Sequence, residues 1–281
     1  MTVAVAGNFP DGVVLGVDSA VTLSDAKGRI AKVYENAEKL FQIGEKPIGI
    51  AVFGSAIIGG RGIGSYIREF EIQNPNNVMS NPASVKDIVE ELRKFFMAVY
   101  QATVIPEIEA QKGKKFNELT DEEKPILGLA VGGFSGTQPF SEIWEILIPI
   151  HGTANSATQW CHPKEFRCIW FALNEPIYRY TKGYDRDLLR ELKAHIGGLR
   201  GTPLNAAEDA VIDAIVAKFE YQIPCSGMPI REGIAYVRFQ VELVINHHRF
   251  AVGAPVVGGD ARIGVVTYKG EKFKILEEVQ S

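Results

Sequence analysis

The tightest constraint on the fold lies at the start of the chain. Val3-Ala4-Val5-Ala6 is followed by Gly7-Asn8-Phe9-Pro10-Asp11-Gly12, rich in turn formers, and then by Val13-Val14-Leu15-Gly16-Val17. Two runs enriched in β-branched residues around such a turn predict a β-hairpin that begins at residue 2. A second hairpin turn is read at Ser24-Asp25-Ala26-Lys27-Gly28, followed by strand-like Lys39 to Ile43 and Ile48 to Phe53. The first fifty residues therefore read mostly as sheet.

Helical patterns follow from Ala56 to about Gln73 and from Ser84 to about Val104. In the second, Ser84 and Asp87 form a capping pair, and the apolar positions 85, 88, 89, 92, 95, 96 and 99 share one helix face. The charged stretch Ile108 to Glu123 reads as an exposed insertion, and strands return at Ile126 to Val131 and Glu142 to Ile150. Three further helices are expected from Asp185 to His195, Asn205 to Tyr221 and Arg231 to about Phe250, before a last strand from Ala261 to Tyr268. No repeat or linker divides the chain, so residues 1–281 are read as one domain with insertions near 108–123 and within 152–222. Strands, helices, strands and helices in that order give an α+β class with helices grouped outside antiparallel sheets.

Charge excludes several function classes. Thirty basic against 34 acidic residues, a formal charge of −4, leave no electrostatic footprint for nucleic acid or an anionic membrane. Three cysteines, Cys161, Cys168 and Cys225, are too few to staple 281 residues and fit a reducing compartment. With no basic residue before Lys27 and no apolar run long enough to span a bilayer, the expectation is cytoplasmic. Cys161-His162 with Cys168 lacks the paired spacing of a zinc site, and neither Gly59-Gly60 nor Gly258-Gly259 has phosphate-cradle spacing, so neither metal nor cofactor is expected. The absence of Gly-x-Ser-x-Gly leaves no nucleophile elbow.

Thr2 is the informative candidate. A small residue after the initiator favours Met1 removal, and an N-terminal threonine carries its own base, since an α-amine has a pKa of about 7.7–8.0. Around it, Asp11-Gly12 through Asp18-Ser19, Val21-Thr22, Lys39-Leu40-Phe41-Gln42-Ile43 and Ile50 through Ala56 together resemble the N-terminal third of proteasome β-type subunits, which are N-terminal-nucleophile hydrolases. The likeness resumes at Gly258-Gly259 and the strand ending Gly264-Val265-Val266-Thr267.

That resemblance implies a four-layer α-β-β-α sandwich and a threonine-type endopeptidase. It implies Thr2 as nucleophile, Asp18 and Lys39 as its tuning pair, and the backbone N–H of Ala51 as oxyanion donor. Ser19 and Thr181 are possible supports, and Val21, Gly49 and Phe53 are read as the substrate pocket. It further implies a peptide or unfolded-protein substrate, homo-oligomeric rings, singly or stacked, and an ATP-dependent unfoldase as a possible partner. Two departures stand out: Ala20 where a basic residue usually follows Asp-Ser, and Ala254-Pro255-Val256-Val257 where an aspartate and a serine usually precede Gly-Gly. They keep open a catalytically silent structural subunit. An amidase acting on a small molecule is the other alternative.

Overall fold

The structure, a computed structural model, describes residues 2–24, 30–74, 84–136, 138–149, 157–252, 256–268 and 272–276. The chain packs as two units, Met1–Leu173 with Cys225–Ser281, and Asn174–Pro224. The second overlaps residues 152–222, the stretch read as carrying an insertion, and ends two residues beyond it.

In the first unit the predicted hairpin is formed by β1 (Val3–Phe9) and β2 (Gly12–Asp18), antiparallel, with Ala4 opposite Val17 and Phe9 opposite Gly12. Every residue of both strands is buried, which is why their sequence is a near-continuous apolar run. β12 (Arg167–Ala172) pairs with β1, β13 (Ala261–Thr267) with β2, and β14 (Lys274–Leu276) completes a five-stranded sheet in the order β12-β1-β2-β13-β14. A second sheet runs β11-β10-β9-β6-β5, from β5 (Leu40–Gln42), β6 (Ile48–Gly54), β9 (Leu127–Phe134), β10 (Ser141–Ile148) and β11 (Thr158–Cys161). All pairings within the two sheets are antiparallel. The result is an α+β unit.

Strand alternation divides the core. From β6, Ile48, Ile50 and Val52 join a cluster with Ile67 and Phe70 of α1 (Ile63–Gln73) and Leu92 and Phe96 of α2 (Val85–Val99). The intervening Ala51 and Phe53 join Ala4, Ala6, Leu15 and Val17 of the first sheet in a second cluster. A 21-residue helix, Ile230–Phe250, packs on β1, β2 and β13. It reaches the sheet because Gly16 has no side chain: a Cβ there would lie 2.6 Å from Val237 Cγ1. Gly16→Val is therefore expected to destabilise the protein by about 1–3 kcal/mol, read as a lower denaturant midpoint at unchanged slope.

Several boundaries differ from the sequence reading. β7 (Ile57–Ile58) and β8 (Arg61–Gly62) form a small hairpin, so α1 starts at Ile63 and not at Ala56. After α2 the helix continues as a π-turn (Tyr100–Val104) and a further α-helix, Ile105–Lys112. The stretch 108–123 is only partly exposed, because Ile108 and Leu119 are buried. The turn read at 24–28 has its strands, β3 (Val21–Ser24) and β4 (Ile30–Tyr34), while residues 25–28 lie outside the described ones.

The second unit holds helices Glu175–Lys182, Arg186–Arg200 and Ala206–Val216. The latter two are started by Asp185, which accepts from Leu188 N, and by an Asn205–Glu208 capping box. Gly183 and Gly201 close the first two in the left-handed region, at φ 78° and 71°.

Candidate active site

Three elements converge on Thr2. Thr2 immediately precedes β1, Asp18 ends β2, and Lys39 immediately precedes β5 in the other sheet. The hairpin register places the start of β1 beside the end of β2, so Val3 N donates to Asp18 Oδ1 at 3.2 Å. Lys39 is fixed from the second sheet, its carbonyl accepting from Val52 N at 2.9 Å. Its Nζ donates to Asp18 Oδ1 at 2.8 Å and to Thr2 Oγ1 at 3.0 Å. Thr2, Asp18 and Lys39 are 2%, 0% and 1% exposed.

Burial dominates the electrostatics. It lowers the Lys39 ammonium below its ordinary 10.5, against the opposing pull of Asp18. It also raises the Asp18 carboxyl above the ordinary value, while Lys39 and the N–H groups of Gly258 and Val3 pull it down. A buried lysine touching a threonine hydroxyl offers a positive charge to an oxygen that loses its proton, and the carboxylate holds that lysine in place.

Ser19 braces this corner. Its Oγ donates to Glu35 O and accepts from Asp260 N at 2.8 Å, and its carbonyl accepts from Ala37 N at 2.8 Å. Ala20 and Val257 are both 1% exposed and bring no side-chain donor; Ala254 and Pro255 lie outside the described residues. Backbone amides meet the second carboxylate oxygen instead: Asp18 Oδ2 accepts from Ala20 N at 3.2 Å and Gly258 N at 3.3 Å. Gly259 makes this possible, because its φ is +68° and a Cβ would lie 2.3 Å from Ser19 Oγ and 2.4 Å from Glu35 O. Gly259→Ala is expected to cost about 1–3 kcal/mol and to reduce any Thr2-dependent turnover, checked by thermal unfolding beside a rate assay.

Thr2 opens onto a hollow of about 980 Å³ within the first unit. Of the pocket residues read from sequence, Val21 and Phe53 line it and Gly49 does not: Gly49 lies under Phe273, 2.4 Å from where its Cβ would be. Ala51 is also corrected. It is fully buried in mid-β6, in register with Leu40 and Ala130, and does not reach the hollow. The hollow is lined with Thr2 by Gly54, the last residue of that strand, and by Ser55 and Ala56 after it. Of these, Ser55 N is engaged by Ile126 O at 2.7 Å. Thr181 belongs to the second unit, buried on helix Glu175–Lys182. The residue that anchors the Thr2 backbone is Leu173, whose N–H donates to Thr2 O at 3.1 Å. The sequence reading missed Leu173 and Glu145, which also lines the hollow. The only signal for Glu145 is an acidic residue two places from Ile143 and Leu147 in one strand.

Among the described residues no helix is long and apolar enough to cross a membrane, and no group of three His, Cys, Asp or Glu side chains could hold a metal ion. No family model matches the chain. No curated protein matches it either. Among solved structures, Anbu (ancestral beta-subunit) from Yersinia bercovieri is similar, with a TM-score of 0.53 and 8% sequence identity over 99% of this chain and 88% of that one. The first unit's two antiparallel sheets and the Thr2–Lys39–Asp18 cluster thus sit in a chain that shares the fold of an ancestral β-subunit.

Proposed function

We propose that this chain is a proteasome-like threonine peptidase of the N-terminal-nucleophile class, active once Met1 is removed. The observation that carries the reading is the Lys39 Nζ bridge, 3.0 Å from Thr2 Oγ1 and 2.8 Å from Asp18 Oδ1 among buried side chains. The likeness to an ancestral β-subunit supports it, as do two sheets that contribute to a common core cluster, the arrangement a four-layer α-β-β-α sandwich requires. Rings of identical subunits, a peptide or unfolded-protein substrate, an ATP-driven unfoldase and a cytoplasmic setting belong to the same proposal.

In the mechanism, Thr2 Oγ attacks the scissile carbonyl while its proton passes to the α-amine of the same residue. The carbonyl C–N bond then breaks, the amine returns the proton to the leaving nitrogen, and an ester to Thr2 remains. Water hydrolyses that ester by the reverse proton path. Lys39 stabilises the alkoxide, Asp18 orients Lys39, and the backbone N–H of Gly54 is the oxyanion donor, since the next one, Ser55 N, is engaged by Ile126 O. No metal or cofactor enters these steps.

The pH profile tests this division of labour. The α-amine must be neutral, so the rate rises with pH through about 8. Lys39 must be charged, so the rate falls as Lys39 deprotonates, below the ordinary 10.5 because burial lowers it. The expected outcome is a bell-shaped kcat/KM for hydrolysis of N-acyl peptide amides by the Met1-free protein. A rate that keeps rising through pH 10.5 would remove Lys39 from this role. The silent-subunit reading has one observation in its favour, the apolar Ala20 and Val257 beside Asp18, and it predicts no hydrolysis at any pH.

A further inference from the structure

We propose that Glu145 receives the cationic side chain of a lysine or arginine in the substrate, so that the hollow beside Thr2 prefers a basic residue. The inference rests on the peptidase reading and names its substrate class. β10 alternates, and of the two residues to either side of Glu145, Ile143 belongs to the core shared by the two sheets and Leu147, partly buried, packs against it. Packing alone calls for an apolar residue at 145, yet a carboxylate occupies it and lines the hollow with Thr2.

That carboxylate is poorly compensated where it stands. Its Oε2 accepts from Trp160 Nε1 at 2.8 Å, while an ionised carboxylate takes about four donors. It forms no ion pair among the described residues. Burial raises its pKa, the direction of a charge in want of a counter-ion. Lys124, in the same wall, is committed elsewhere, with Nζ 3.2 Å from Asp121 Oδ1 and 5.7 Å from the Phe116 ring centre. Glu122 adds a second acidic side chain to the lining. The rest is largely apolar, with Val21, Phe53, Ile57 and Leu147, and it suits the methylene stem of a long basic side chain.

A free peptide α-amine carries the same charge, so the test separates the two sources. Binding of three tripeptides to the full-length protein carrying Thr2→Ala is measured by calorimetry: N-acetylated and ending in arginine, N-acetylated and ending in leucine, and unblocked ending in leucine. The arginine peptide is expected to bind roughly tenfold or more tightly than the blocked leucine peptide, as a charge-assisted pair in a sheltered site allows. Glu145→Gln, which can keep the Trp160 contact, is expected to erase that difference, and Glu145→Asp to retain it in part should the glutamine variant fold poorly. Equal binding of the two blocked peptides, a difference that survives Glu145→Gln, or preference for the unblocked peptide alone would overturn the proposal. Epoxyketone labelling of unsubstituted protein reports separately on the nucleophile, so an arginine preference without labelling would sink the peptidase reading and leave the cation site standing.

Discussion

Asp18→Ala is expected to destabilise the protein by about 3–5 kcal/mol, the largest effect of any single substitution in the site. The loss has two parts. Lys39, 1% exposed, is left as an unpaired buried cation, and the N–H groups of Val3, Ala20 and Gly258 lose the oxygens they donate to. Asp18→Asn keeps the shape and removes the charge. Without the carboxylate, desolvation acts on Lys39 unopposed and its pKa falls further, so this variant is expected to fold at neutral pH yet lose turnover. Denaturant unfolding of both variants, beside kcat/KM for the folded one, separates the roles. An Asp18→Ala protein as stable as the parent would mean that Lys39 is not held in the geometry described.

Thr2→Ala is expected to behave in the opposite way. The hydroxyl accepts one charge-assisted hydrogen bond from Lys39, and Lys39 keeps Asp18 when it is lost, so the stability cost is about 1–2 kcal/mol. Hydrolysis should fall on the order of 10⁴-fold or more, because alanine retains the α-amine but offers no attacking oxygen. Lys39→Ala should approach the same loss in rate, and the two losses should not add, since hydroxyl and ammonium act as one unit. A Lys39→Ala rate near the parent's, with Thr2→Ala dead, would leave the α-amine as the sole activator.

Much of the site was legible because its residues sit at element ends. Thr2, Asp18 and Lys39 flank strands whose β-branched composition is strong, and a hairpin with a tight turn fixes which ends meet. Ala51 failed because the position of an oxyanion donor depends on where a strand stops. β6 runs on to Gly54, whose positive φ of 77° turns the chain into the wall of the hollow. Gly49 failed because a glycine's role depends on what fills the space beside it, here the Phe273 ring. The Ile57–Gly62 hairpin reads as helix from sequence because its apolar residues continue the pattern of the helix after it. Glu145 carries only its place between Ile143 and Leu147 as a signal, a weak one because a glutamate in a strand ordinarily faces solvent. The backbone amides that serve Asp18 are invisible to residue type, which is why Ala20 reads as a missing group while its N–H is in use.

Intact mass of the purified protein, before and after a peptide epoxyketone, tests the central claim most directly. The reagent closes a ring with both the hydroxyl and the α-amine of an N-terminal threonine, so it reads nucleophile and base together. The account predicts a mass lower by one methionine, a single adduct, and no adduct on Thr2→Ala. A protein that has lost Met1, retains its fold and still takes no adduct would contradict it.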